Sequence, residues 1–285
     1  MSIQFDKVQP KTKEQLKQLI NYAFKHDIYD LNFIDTSKIT DMSWLFENVK
    51  HNFDISSWDV SNVTNMRGMF NSCFEFTGKG LENWDVSNVT DMNNMFYCCN
   101  NFDCDLSNWD VSNAKDMSYM FQFCYDLNCD LSSWDVSNVT NMKYMFAGCK
   151  KFDCDLSNWN VSNVINMSHM FFYCENFDIN CFKSWDVSNV ENTSYMFYNC
   201  KNFNCDLSNW DVSNVTNMTS MFALCNKFDC DLSNWDVSNV TSMYFMFGRC
   251  KQFNCDLSHW NTSKIKNMKC MFKGCNRLTI PNWYK

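Results

Sequence analysis

The stretch MFYNCKNFNCDLSNWDVSNVTNM, residues 196–218, decides the fold, because it recurs along the chain with little change. Its tryptophan returns at Trp58, Trp84, Trp109, Trp134, Trp159, Trp185, Trp210, Trp235 and Trp260, 25 or 26 residues apart. The Ser-Asn-Val element appears ten times, from Ser37-Lys38-Ile39 to Ser263-Lys264-Ile265. A fixed period of this length marks a solenoid, in which no unit buries its apolar face alone and stacked neighbours share one core.

Within a unit, Met142, Met145, Phe146 and Cys149 stand at i, i+3, i+4 and i+7. That spacing predicts about two turns of helix, with Thr140 (and Thr216 or Thr241 in other units) as N-cap. Phe152-Asp153-Cys154-Asp155-Leu156 alternates apolar and polar, the period of a strand with one buried face. Trp159 closes the unit, and Asn160 with Val161-Ser162-Asn163 forms the turn into the next. The expected fold class is therefore an α/β solenoid, a leucine-rich-repeat-like coil with one short strand and one short helix in each of about ten repeats. Residues 1–27 read as a capping segment, in which Leu16, Leu19, Ile20, Ala23 and Phe24 share a helix face and Thr12 pairs with Gln15 at the start. Residues 28–285 read as one solenoid, closed by the shortened unit Leu278 to Trp283, where Pro281 discourages a further ladder strand.

Stacking turns each repeat position into a column. Asn62, Asn88, Asn113, Asn138, Asn163, Asn189, Asn214 and Asn239 read as a buried amide ladder, which leaves no room for a glycan at sequons such as Asn62-Val63-Thr64. The first and last copies are Lys38 and Lys264, as suits units with one solvent-facing side.

With these residues laid out, the phrase from Met196 to Met218 resembles the repeats of BspA-like leucine-rich-repeat surface proteins of host-associated bacteria. The resemblance covers about residues 30 to 283. It implies a solenoid of non-catalytic repeats, often displayed on cell surfaces and associated with adhesion to host or neighbouring-cell proteins.

Composition excludes several classes. Aromatic residues at 17% rule out a disordered chain, and no apolar run reaches the roughly 18 residues of a membrane span. A net charge of −8, with 24 Lys+Arg spread along the chain, argues against nucleic acid as partner. MSIQFDKVQPKTKEQ has no apolar signal core, so the expectation from the sequence is a cytoplasmic protein with reduced cysteines; the resemblance implies the cell surface instead.

The 18 cysteines fall mainly into two columns, one running from Cys73 to Cys275 and one from Cys104 to Cys255. Parallel stacking and the missing histidine column favour small core residues over disulfides or zinc ligands. Off-column Cys98 and Cys270 are the candidate reactive thiols. Two aspartate rows remain. Asp59, Asp85, Asp110, Asp135, Asp186, Asp211 and Asp236 follow tryptophan, and Asn160 and Asn261 replace them freely, so this row reads as turn capping. Asp105, Asp130, Asp155, Asp206, Asp231 and Asp256 precede leucine and read as a solvated acidic face rather than a calcium site, with strand spacing of about 4.8 Å between carboxylates. This row is the candidate contact surface for a protein partner. The period-breaking segments Phe76–Gly80 and Ile179–Phe182 are the candidate contact loops. His26, His51, His169 and His259 occupy different repeat positions, and no nucleophile–base pair or phosphate loop appears, so the sequence predicts neither an enzyme nor a cofactor. The expected function is protein interaction, with self-assembly into a larger structure as the alternative.

Overall fold

The computed structural model describes residues 7–175 and 182–285. Helix α1, Lys13–Lys25, begins at Thr12, whose Oγ1 accepts from the Gln15 amide, while the Gln15 side chain accepts from the Lys11 amide. It buries Leu16, Ile20 and Ala23 against the first coil, and Phe24 meets Phe46 and Phe53 at 6.4 and 5.8 Å. Lys13 reaches Asp41 on that coil at 3.2 Å.

Beyond α1, each unit is a flat coil of consecutive turns. Parallel bridges join Asp41, Asn65, Asp91, Asp116, Asn141, Asn166, Asn192, Asn217, Ser242 and Asn267 into one column of rungs. In the fifth coil, turns close from Leu131 to Trp134, Val136 to Val139, Met142 to Met145 and Phe146 to Cys149, each by an i→i+3 backbone bond. Every one of those end residues is buried, so the apolar phrase is the set of turn ends.

The expected helix from Met142 to Cys149 does not form. Its amides alternate between two destinations: Met145, Ala147 and Cys149 donate three residues back, whereas Met142, Tyr144, Phe146 and Gly148 donate to Asn166, Ser168, Met170 and Phe172 of the next coil. Tyr144 and Gly148 make this possible with φ of 57° and 78°. The left-handed residue at the third position of each turn sends its own amide outward to the neighbouring coil, and the amide after it closes the turn. Every unit repeats both positions, so Asp27 is the one non-glycine residue of positive φ outside these two columns among the described residues. The apolar spacing of a helix face is thus produced by turns that hydrogen-bond between coils.

The expected strand at Phe152–Leu156 also gives way. There the coils are joined by side chains: the Leu131 amide donates to Cys154 Sγ at 3.2 Å, and the Leu207 and Leu232 amides do the same to Cys230 and Cys255. Indole spacing supplies the reason. The Trp109–Trp134 and Trp134–Trp159 pairs stand 6.5 Å apart, beyond the roughly 4.8 Å a backbone ladder needs. Each tryptophan of the column except Trp84 instead spans the gap with its indole N–H, as Trp134 does to the Leu106 carbonyl at 3.0 Å. The bridged side is the short side of the coil stack and the tryptophan side the long one.

The asparagine ladder exists, but on the surface. Asn88 Nδ2 donates to the Ser61 carbonyl at 2.8 Å and Asn138 Nδ2 to Ser112 at 2.8 Å, while both residues are exposed. What a glycan would displace at these positions is this inter-coil bond, not a packed core. Lys264 ends the ladder by donating to Asn239 Oδ1 at 2.7 Å. No helix among the described residues is long and apolar enough to cross a membrane.

Candidate functional site

The left-handed column carries bulky aromatics on four consecutive rungs. Tyr119, Tyr144, His169 and Tyr195 stack with ring centroids 5.0, 4.1 and 4.6 Å apart and planes within 13°. On the other rungs the column reads Trp44, Gly68 and Asn94 before them and Ser220, Phe245 and Cys270 after. A non-glycine residue held at positive φ costs about 1–2 kcal/mol, and here the stack along the coils offsets it. Beside the stack, Phe172 lies on Tyr198 at 5.1 Å, Tyr173 on Tyr198 at 5.6 Å, and Tyr97 meets Phe123 edge-on at 6.0 Å. These rings are half-buried or exposed, with Tyr173 at 39%.

Charge is placed over this surface. Lys143 Nζ sits 5.7 Å from the Tyr119 ring and 5.6 Å from Tyr144, and Lys150 Nζ 4.8 Å from Tyr125. His169 Nδ1 is buried with no hydrogen-bond partner. Burial between two rings, with Lys143 nearby, pushes its pKa down to about 4, so the ring is neutral at pH 7. Burial likewise raises the Tyr144 and Tyr198 hydroxyls.

The aspartates lie elsewhere on the coil. Asp105, Asp130, Asp155, Asp206, Asp231 and Asp256 are all exposed, and each accepts from the amide of the serine two residues on, at 2.9 to 3.0 Å. Those serines hold Asp105, Asp130, Asp206, Asp231 and Asp256 below the usual carboxylate range. This row therefore shapes a turn, as the tryptophan-following row does through bonds such as Ser137 N–H to Asp135 at 2.9 Å. A shallow groove of about 360 Å³ runs between Asp130 and Asp155, floored by Cys129 and Cys154. Because these residues lie off the bridged column, the spacing of about 4.8 Å expected between carboxylates does not apply to them. Among the described residues no three His, Cys, Asp or Glu side chains gather as a metal site.

The main cysteine column is buried, and its thiols have a structural task. Cys99, Cys124, Cys149 and Cys174 donate to the carbonyls of Phe70, Phe96, Phe121 and Phe146 on the preceding coil, each at 3.0 Å. Burial pushes Cys73 and Cys174 up to about 12. Cys98, a candidate reactive thiol by sequence, is half-buried and also pushed up by burial, which suppresses its thiolate. Cys270 is half-buried in the left-handed column.

A family model described as "Mycoplasma protein of unknown function, DUF285" matches residues 14–79, 72–182 and 174–283. The chain belongs to this family. No curated protein matches the DUF285 chain in sequence. A solved structure titled "Crystal structure of TLR13-ssRNA13 complex" is similar at 13% identity, covering 96% of this chain and 45% of that one, with a TM-score of 0.24. The chain therefore spans less than half the length of that structure.

The family matches meet at residues 72–79 and 174–182, the two places where the period lengthens. The first is pinned down rather than projecting: Gly78 and Gly80 are buried at φ of 79° and 96°, and a Cβ on Gly80 would lie 2.3 Å from that of Ser56. A short 3-10 helix, Leu81–Asn83, follows, and the indole N–H of Trp84 beside it is buried without a partner. In the second, residues 179–181 lie outside the described residues. The aromatic stack of this DUF285 protein was not singled out by sequence reading. Its signal was present in the glycine, asparagine and serine that share its column, Gly68, Asn94 and Ser220, which mark a left-handed position.

Proposed function

We propose that the chain is a non-catalytic protein-interaction solenoid, a leucine-rich-repeat-like and BspA-like repeat protein, that seats a partner protein on the stack Tyr119–Tyr144–His169–Tyr195. The observation that carries this reading is the confinement of a continuous aromatic stack to four consecutive rungs of an otherwise regular coil. Core packing has no need of it, because the rings lie outside the buried turn ends. Tyrosines are favoured at interface centres, and rings already locked in a stack lose little freedom on binding. The stack lies on the bridged side of the coil, the regular face of the solenoid.

The test is capture of a partner from the native host, followed by titration of that isolated partner against variants. Tyr144→Ser with Tyr195→Ser should weaken binding by about 2 kcal/mol or more, roughly thirtyfold. Asp130→Lys with Asp155→Lys should leave it unchanged. The reverse outcome, loss with the lysines and none with the serines, would move the contact to the aspartate row and sink the aromatic reading.

A further inference from the structure

The surface asparagine ladder uses only half of each side-chain amide. Asn189, Asn214 and Asn239 give Nδ2 to the carbonyls of Ser162, Ser188 and Ser213 on the preceding coil, at 2.7 to 2.8 Å. The Oδ1 atoms of Asn189 and Asn214 receive no protein donor among the described residues. At Asn239 the oxygen is filled. Lys264 stands one coil on in the ladder position, and its Nζ donates to Asn239 Oδ1 at 2.7 Å rather than to a serine carbonyl. The chain's own ammonium group thus shows what this oxygen accepts.

These side chains line an open polar groove of about 510 Å³, bordered by Asn189, Glu191, Asn214, Thr216, Asn239 and Lys264. Its threonine side is a bonded ladder, in which the Thr216 amide donates to the Glu191 carbonyl at 2.9 Å and the Thr241 amide to Thr216 at 2.8 Å. Thr216 Oγ1 donates to the same Glu191 carbonyl at 3.2 Å, which leaves its own lone pairs to accept. The Glu191 side chain is exposed and makes no ion pair among the described residues. Each asparagine also follows an exposed aspartate by three residues, Asp186, Asp211 and Asp236, so the field over the row is negative. The groove is a row of oxygen acceptors with a free carboxylate at one end and a seated lysine at the other.

We propose that this groove binds a linear polyamine, whose ammonium groups take the free Oδ1 atoms of Asn189 and Asn214 with Thr216 Oγ1 and the Glu191 carboxylate beside them. Protonated amines carry donors and no acceptor, which suits a row that offers acceptors, and an overall charge of −8 draws cations toward the chain. Spacing selects among amines. Coils bonded through their backbones lie roughly 4.8 Å apart. A three-carbon link, extended, sets its two nitrogens about 5 Å apart, so successive ammonium groups fall on successive coils. The groove shares no residue with the aromatic stack, so either reading can fail without the other.

The experiment titrates the full chain with bis(3-aminopropyl)amine at low salt, by calorimetry and by NMR of the asparagine side-chain amides. The expected result is binding that shifts the Asn189 and Asn214 amides and weakens as salt rises, since exposed charges are screened within about 8–10 Å at physiological ionic strength. Bis(6-aminohexyl)amine, with the same charge on longer links, should bind more weakly. Glu191→Gln should lower the affinity about two- to fivefold. Lys264→Met, which vacates Asn239 Oδ1, should raise it by a similar factor. Both side chains are exposed, so both variants should keep the wild-type melting temperature. No binding at millimolar ligand, equal affinity for the two triamines, shifts confined to the groove between Asp130 and Asp155, or unchanged affinity in both variants would overturn the proposal. So would tighter binding of blocked trilysine, whose ammonium groups sit on separate flexible stems.

Discussion

The sulfur of Cys149 lies 3.0 Å from the carbonyl oxygen of Phe121, one coil earlier, and the same bond recurs from Cys73 with Phe46 to Cys275 with Phe247. The phenylalanine carbonyl already accepts the i→i+3 bond of its own turn, so the thiol fills its second lone pair. A residue that packs like a small apolar group here also stitches neighbouring coils.

Cys149→Ala should therefore cost more than its lost volume, about 1–3 kcal/mol in urea unfolding, through the missing donor and the small void together. In the native protein at pH 8, alkylation followed by mass spectrometry should find Cys149 unmodified and Cys270 modified. Labelling of both at one rate would mean that the coils open readily.

Gly148→Ala tests the second left-handed column, the one that also holds Phe123 and Tyr173. Its φ is 78°, and a Cβ there would lie 2.6 Å from the Phe123 ring. Strain and clash should together remove about 1–3 kcal/mol, seen as a lower melting temperature. An unchanged melt would show that the turn accepts a right-handed residue.

Acid should loosen the turns. The serine bonds depress the folded-state pKa of Asp130, Asp206 and Asp231, so their contribution is present above the unfolded value of about 3.9 and fades as pH falls through the lower folded values. Asp130→Asn should keep the turn, as Asn160 does in the neighbouring row by accepting from Ser162 at 3.1 Å, and should lose part of this acid sensitivity. Asp130→Ala should lower stability at neutral pH by about 0.5–1 kcal/mol. Unfolding curves at pH 3 and pH 7 separate the two.

His169 acts in a higher window. Its folded pKa of about 4 lies below the unfolded 6.5, so the unfolded chain takes up a proton first as pH falls. Stability should be unaffected above pH 6.5, decline between 6.5 and 4, and level off below, by no more than about 1–2 kcal/mol given the partial exposure. His169→Phe keeps a ring between Tyr144 and Tyr195 and should flatten that decline. A variant with the wild-type slope would place the pH dependence elsewhere.

Much of this was legible from residues alone. The tryptophan period gave the coil number, the Leu16–Ile20–Ala23 face gave α1, and Asn160 standing in for aspartate exposed the turn bond. The helix at Met142–Cys149 was misread for a physical reason: turns closing every three or four residues bring their ends to one face, as a helix does. Only residues at positive φ separate the two, and Tyr119, Phe123 and Leu224 give no local hint of φ near 62–66°. The strand at Phe152–Leu156 failed because alternation reports which side chains are buried, whereas ladder formation depends on the coil spacing, which the stacked tryptophans widen on this side. The aromatic stack needed three dimensions, since its members lie 25 or 26 residues apart.

The difference between the two sides of the coil stack has a mechanical consequence. Along the bridged side, backbone bonds of 2.6 to 3.1 Å tie each coil to the next, and stretching them breaks directional contacts. Along the tryptophan side, parallel indoles 6.5 Å apart are joined by one N–H each and slide over one another at small cost. Bending therefore concentrates on the tryptophan side while the rungs keep their length, as pages fan about a bound spine. The aromatic stack lies near the line of least movement, so a partner seated there would meet the same surface however far the solenoid is flexed.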